Sequence, residues 1–326
     1  MIPYTERDTD LNFRPPYRIT GVEGLAAVRR IHMRETQQWL DDTLNWRPDE
    51  REPSPEFTAL PFAFVVFMKM ASMRSLDPLH EDWGAVSESE MVVTLPVVAW
   101  DNRGLPSLPT LKFYPIVLCL DSSPAMISGR EVFGFPKILG EVDIGPEGGE
   151  ARCEVAVRPG DPVTHRNRRL LKLARIQDGP AAAPPASYGG GLVEMVKDEL
   201  LADFDELWLD HLAHRKLLRG VLNKGLEWLV DQLGSLEVTQ EFVFLKQFRD
   251  VARPAEACHR SVATSALTFS NLTELMRESG EWELDVPELR SSDLLNRIGL
   301  ESGPIGAPLR SAFNFDLSLG TQLWST

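Results

Sequence analysis

Between residues 59 and 157 the chain alternates apolar runs of strand length with short stretches rich in Gly, Pro and Asp. Residues 59–71 are dominated by aromatic and β-branched side chains and predict a strand. Residues 91–100 predict another, ending at Trp100. Ile116 to Leu120 is an unbroken apolar run, the mark of a buried strand. Residues 141–144 and 151–157 flank a glycine-rich turn and predict a hairpin. Further strands are expected over 236–251, 259–285 and, as one last strand, 311–324. Helical spacing occurs twice. Residues 21–43 place Val22, Leu25, Val28, Ile31, Trp39 and Leu40 at intervals that predict one or two helices ending near Asp42. Residues 192–233 carry leucines at three and four and predict a helical insert, weakened in the middle by Gly220 and Gly225. Residues 1–18 read as an arm, and residues 46–57 and 158–191 as Pro- or Gly-rich connections. Many short strands with such turns, plus two helical stretches, predict an α+β fold in a single domain over residues 1–326.

Composition narrows the partners. A formal net charge of −14 argues against nucleic acid or an anionic membrane, whose phosphates need a basic patch. The basic cluster of Arg166, Arg168, Arg169, Lys172 and Arg175 reads as a solvated face. Cys119, Cys153 and Cys258 have no metal-type spacing and read as free, buried thiols in a reducing compartment. The N-terminal residues lack a basic region followed by an apolar one, so no signal peptide is expected. The apolar stretch near 61–71 is broken by Lys69 and too short to span a bilayer. Together these predict a cytoplasmic protein. His211 and His214 share a helix face, but a metal needs a third convergent ligand that the sequence does not offer. No metal or cofactor is expected.

The stretch from Cys119 to Gly140 holds the candidate chemistry. A turn at Asp121, Ser122, Ser123 and Pro124 follows the buried strand, and an adjacent charge pair, Arg130 and Glu131, comes next. Lys137 then stands alone among Val132, Phe133, Phe135, Ile138 and Leu139. Burial disfavours an ammonium, so the amine is expected to be neutral near pH 7 and nucleophilic toward ketones and aldehydes. Asp121, Pro124, Ala125, Gly129, Arg130, Glu131, Pro136, Lys137, Leu139 and Gly140 match, in order and spacing, the Schiff-base lysine motif of the acetoacetate decarboxylase-like superfamily. The stretch is thereby identified as similar to that family, of which this chain would be a longer, divergent member. Acetoacetate decarboxylase is itself the standard example of a lysine activated by desolvation or a neighbouring cation, so that mechanism comes with the resemblance.

The resemblance implies a mostly antiparallel, cone-like β-barrel with an early helix, a homo-oligomeric assembly and a small keto acid or ketone as substrate. It assigns Lys137 as the Schiff-base lysine and Glu90, six residues before the strand proline Pro96, as the active-site acid. Glu88, two residues earlier, points to the same side of a strand and stays open as the alternative. Phe67, Phe133 and Phe135 would line an apolar substrate pocket, and Arg130 would bind substrate or brace the loop with Glu131. Two family features are missing. Ile138 replaces the second lysine of the motif, and no acid lies on the strand around Val66, Phe67 and Met68. Only desolvation therefore remains as a local cause of a depressed lysine pKa. The expected activity is decarboxylation of a β-keto acid through a lysine iminium and enamine. The same lysine would also serve a pyruvate-type aldolase-dehydratase, and loss of the proton-handling groups would leave a non-catalytic ligand-binding barrel or assembly protein. Farther along, Arg249 and Asp250 read as a buried pair or a substrate clamp.

Overall fold

The computed structural model describes residues 4, 5, 7, 11–47, 55–100, 110–145, 149–155, 169–178, 238–288 and 293–325. The predicted insert at 192–233, His211, His214, Arg166 and Arg168 lie outside them.

Strand β1 (Tyr17–Arg30) occupies most of the stretch whose spacing predicts helix, and the helix α1 (Met33–Thr43) takes only its end. The cause is a bulge at Gly21, where φ is +64° and the pairing register shifts between Ile19 and Val22. An extra residue in a strand resets which side chains face inward. Tyr17, Ile19 and Val22 therefore face one side with gaps of two and three, Leu25 is buried on the other side, and the combined spacing imitates a helix. A Cβ at position 21 would stand 2.9 Å from Ala71 Cβ, so this close strand approach needs glycine. Helix α1 buries Met33, Thr36, Leu40 and Thr43, one face at helical spacing.

The following strands are β2 (Glu56–Ala59), β3 (Phe62–Ser75), β4 (Val86–Trp100) and β5 (Thr110–Leu120). A short helix α2 (Ser123–Ser128) and a π-helical turn over Gly129–Phe133 lead into β6 (Lys137–Ile144), β7 (Glu150–Val155) and β8 (Arg169–Gln177). Then come β9 (Val238–Arg249), β10 (Ala257–Arg277), β11 (Glu281–Asp285), α3 (Leu294–Arg297), β12 (Gly303–Ile305), β13 (Leu309–Leu317) and β14 (Thr321–Ser325). The strand expected over 311–324 is thus two strands. Ser318 Oγ accepts from Ala266 N at 3.0 Å at the break, and β14 pairs with β10 rather than continuing β13.

All these strands belong to one sheet, so the described residues are mostly β with little helix. Its pairing path runs β5-β9-β10-β13-β1-β3-β4, and β4 pairs back to β5. Seven strands therefore form a closed ring of pairings. Strands β6, β7, β8, β11 and β12 continue from β5 as a lateral sheet. The sheet is mixed: β5 runs parallel to both β6 and β9, while the other pairings are antiparallel.

The largest core cluster lies outside the ring, where Leu40 and Leu44 meet Phe57, Phe67, Met91 and Tyr114. Each such fully buried apolar side chain contributes roughly 1.5–3 kcal/mol. A second cluster gathers Tyr17, Met70, Phe133, Phe244, Phe315 and Leu317, and a third gathers Val28, Phe62, Phe64, Val98, Phe113 and Leu309. The described members of the basic cluster are paired on the lateral sheet, with Lys172 2.7 Å from Glu150, Arg175 2.7 Å from Glu278, and Arg169 against Asp285. Cys119 and Cys153 are buried, but Cys258 is exposed, against expectation. It sits at the start of β10 against the carbonyls of Phe248 and Arg249, outside any core. Among the described residues no helix is long and apolar enough to cross a membrane.

Candidate functional site

Lys137 opens β6 and pairs in parallel register with Leu118 of β5. The path from β5 to that position explains the motif around it. Asp121 Oδ1 accepts from Ser89 N at 2.8 Å, which ties the end of β5 to the segment of β4 that carries Glu88 and Glu90. Pro124 occupies the first turn of α2, where its missing N–H costs nothing. Gly134 has a φ of +87°, and a Cβ there would lie 2.5 Å from Lys246 Cα, so only glycine lets the turn close against β9. A Cβ at Gly129 would lie 2.7 Å from Lys137 Cδ and 2.9 Å from Cε. Gly129 thus leaves the groove along which the lysine side chain runs. Arg130 donates to the backbone carbonyl of Lys137 at 2.9 Å, and Glu131 Oε2 accepts from Asn12 Nδ2 at 2.7 Å. The charge pair braces the loop from both sides.

The lysine side chain ends in a cavity of about 250 Å³ inside the ring. Its walls are the inward residues of the strands at period two: Phe64, Val66, Met68 and Met70 on β3, Phe313, Phe315 and Leu317 on β13. Phe135 covers the lysine end, with its ring centroid 5.6 Å from Nζ and 4.5 Å from the centroid of Phe244 in an edge-to-face contact. Lys137, Glu88 and Glu90 are the charged residues lining this space, and they are only 6%, 5% and 6% exposed. Lys137 Nζ stands 3.0 Å from Glu90 Oε2, which has no other donor among the described residues. The sequence leaves Glu88 and Glu90 as alternatives. Both face the cavity, because they sit two apart on β4.

The electrostatics differ from the expected desolvated, neutral amine. Burial pulls the Lys137 pKa down, but the negative charges of Glu88 and Glu90 and the contact with Glu90 outweigh it, and the net shift is upward. The resting site therefore holds an ammonium in an ion pair. Weighing only a neighbouring cation against desolvation omits the two carboxylates that the fold brings to the same point. Glu88 is pushed up from 4.5 to about 7, chiefly by burial, with the charge of Lys137 opposing and those of Glu90 and Asp121 adding.

That shift has a measurable consequence. Folded protein keeps the Glu88 proton up to about pH 7, whereas an unfolded chain loses it near 4.5. The folded state binds more protons between these values, so stability falls as pH rises through the window. The interval corresponds to on the order of 3 kcal/mol. Glu88→Gln is expected to remove most of this dependence. Urea melts of the wild type and the variant at pH 5 and pH 8 check it, and an equal loss in both proteins contradicts the assignment to Glu88.

The other predicted site residues separate. Phe135 lines the cavity. Phe133 is buried one layer behind it, its ring 5.4 Å from that of Phe135 and 5.9 Å from that of Phe244. Phe67 faces the opposite side of β3 and is packed in the outer core, because its neighbours Val66 and Met68 take the inward positions. Arg130 lines a separate groove of about 980 Å³ on the far side of Pro136, not the lysine cavity. Arg249 and Asp250 form neither a buried pair nor a clamp but build the exposed β9–β10 turn: Arg249 donates to Pro254 O and Asp250 Oδ1 accepts from Ala252 N. Sequence reasoning misses Thr94, Gln240 and Ser311, polar residues of the cavity wall. Thr94 is detectable in principle, since it continues the alternation Glu88, Glu90, Val92 along β4.

A closed ring of strands around a buried lysine and two glutamates, with the lysine at the head of a laterally attached strand, is a distinctive class of site. The family model for acetoacetate decarboxylase (ADC) matches residues 2–164, half of the chain. The chain belongs to the acetoacetate decarboxylase family. Solved structures agree on the fold across nearly the whole length. Acetoacetate decarboxylase from Legionella pneumophila subsp. pneumophila str. Philadelphia 1 is 13% identical at a TM-score of 0.59, covering 98% of this chain and 92% of that one. Enduracididine biosynthesis enzyme MppR, complexed with pyruvate, is 14% identical at 0.55, covering 97% and 93%. An acetoacetate decarboxylase-like enzyme from Sphingomonas wittichii RW1 is 12% identical at 0.52, covering 97% and 96%. No curated protein matches the sequence.

Proposed function

We propose that this chain is a Schiff-base carbon–carbon lyase whose nucleophile is Lys137 and whose substrate is a β-keto acid with an apolar body. The observation that carries the reading is the 3.0 Å contact between Lys137 Nζ and Glu90 Oε2 at the wall of an apolar cavity. In this reading the ring of strands works as a cone-like barrel that keeps the reaction dry.

The ion pair is the resting form, and a proton must leave the ammonium before it can attack. Glu90 is within proton-transfer distance, and moving the proton from Nζ to Oε2 turns a buried ion pair into two neutral groups. Substrate that displaces water from the cavity favours this neutral form, because a low dielectric penalises separated charges more than neutral ones. The neutral amine adds to the ketone carbon, and protonated Glu90 gives its proton to the oxygen. Water leaves and an iminium forms between Nζ and the former carbonyl carbon. The bond from the α-carbon to the carboxylate then breaks, its electron pair moves through the α-carbon to the iminium nitrogen, and CO₂ departs. Glu88, neutral below about pH 7, is the proton source for the enamine carbon. Addition of water releases the ketone and returns Lys137.

Borohydride trapping tests the reading. The protein is incubated with acetoacetate, with pyruvate and with 3-oxooctanoate, each mixture is reduced, and the modified peptide is mapped by mass. A reduced adduct on Lys137 is expected with 3-oxooctanoate. An adduct with pyruvate alone moves the assignment to aldolase-dehydratase chemistry. No adduct on Lys137 with any of the three overturns the covalent mechanism and favours a non-catalytic ligand-binding protein. An assembly of several copies is expected in the same preparations, as a mass above that of one chain.

A further inference from the structure

We infer that the cavity is built for an elongated substrate carrying a second hydrogen-bonding group at its far end, which binds the hydroxyl of Thr94. The inference rests on the proposed role of Lys137 and specifies the substrate of that site.

The cavity has a reactive end and a remote end. Glu90, Val92 and Thr94 are successive inward residues of β4, and Lys137 contacts the first of them. Four residues of strand separate Glu90 from Thr94, about 13 Å at roughly 3.3 Å per residue. At the remote level β4 and its neighbours contribute Phe64, Pro115, Phe113 and Phe242, through the pairings of Phe64 with Thr94, Thr94 with Pro115 and Phe113 with Phe242. Phe64 and Phe113 also belong to the third core cluster, with Phe62, Val98 and Leu309. The space between holds about 250 Å³. Acetoacetate, a four-carbon chain, spans less than half of the roughly 13 Å between the two ends.

Thr94 stands apart from Gln240 and Ser311, the other uncharged polar residues of the wall. It is 6% exposed, and its Oγ1 is buried without a hydrogen-bond partner among the described residues. A buried hydroxyl left unpaired costs stability, and valine would fill the same shape without that cost. The neighbouring strand residue opposite Thr94 is Pro115, which has no N–H to give. A ligand oxygen arriving along the cavity can pair with Oγ1 as donor or acceptor. The charged groups all lie at the other end, so the remote group is neutral: a hydroxyl or carbonyl rather than a carboxylate or an amine. The chemical class is a medium-chain 3-oxo acid of about eight carbons, oxygenated near its terminus.

Two probe pairs test this. In the first, 3-oxooctanoate and 8-hydroxy-3-oxooctanoate are trapped on Lys137 over a range of concentrations. The hydroxylated acid is expected to half-saturate about tenfold lower, the value of one additional hydrogen bond. Thr94→Val should abolish that tenfold difference, read as the ratio of the two acids on the same variant. In the second, octane-1,8-diol and 1-octanol are titrated calorimetrically. Neither has a carbonyl, so this pair reads the cavity independently of any covalent step. The diol is expected to bind the wild type about tenfold more tightly than 1-octanol, and Thr94→Val to the same extent as 1-octanol. The variant should melt no lower than the wild type, which establishes that it is folded. Failure of all trapping with the diol preference intact overturns the lyase reading and keeps the remote site. Trapping without any Thr94-dependent preference in either pair overturns the remote site and keeps the lyase reading.

Discussion

Lys137→Met leaves no borohydride-reducible adduct and lowers turnover at least about 10⁴-fold, the scale of losing a covalent nucleophile. Methionine has nearly the length of lysine and adapts its shape, so the path past Gly129 stays filled. The variant does, however, leave Glu90 buried without its cation. Breaking a buried pair by removing one partner costs about 3–5 kcal/mol when the remaining group stays charged. The variant should therefore unfold at a lower urea concentration than the wild type. Trapping, turnover and urea melts measure all three. Residual adduct mapping elsewhere in the chain, with turnover preserved, would falsify the assignment of Lys137.

Glu90→Gln separates adduct formation from turnover. Glutamine removes the adjacent negative charge and the proton acceptor but keeps the size. Among the forces on Lys137, burial acts downward and the carboxylates act upward. With Glu90 neutralised and Glu88 protonated below about pH 7, burial prevails and the amine loses its proton more easily. The pH at which trapping reaches half its maximum should therefore move down in the variant. Turnover should nevertheless fall about 10²–10⁴-fold, the usual loss on deleting a general acid–base group. A variant in which trapping and turnover decline together, with no shift of the pH profile, would mean that Glu90 only holds the lysine in place.

The lysine motif is legible because each of its residues answers to a local demand. Gly129 clears the lysine side chain, Gly134 turns at positive φ against β9, Arg130 holds the Lys137 carbonyl and Asp121 ties β5 to β4. Such demands are short in sequence and leave a fixed spacing. The remaining features depend on partners far along the chain. The protonation of Lys137 is set by two glutamates about fifty residues earlier, which only the pairing of β4 with β5 brings near. The choice between Phe67 and its neighbours depends on one strand's phase, and a shift of one position reverses it. The bulge at Gly21 makes β1 imitate a helix for the same reason. Apart from Gln240 and Ser311, the residues on β9, β10 and β13 that complete the cavity wall are ordinary Phe and Leu, which carry no signal of their own until the ring is closed.

The pairing of β1 with β13, from Tyr17 opposite Leu317 to Ala26 opposite Leu309, joins segments almost three hundred residues apart. Ring closure is consequently a long-range event, of the kind that comes late because a large loop must be ordered before its contacts repay the entropy. On the ribosome β1 and β10 each lack a neighbour until residue 317 has emerged, and two open sheet edges wait in the meantime. The amine of Lys137 is made long before the walls that enclose it. A nascent chain thus carries Lys137 beside Glu90 in a cavity whose β13 wall is missing until residue 317 has emerged.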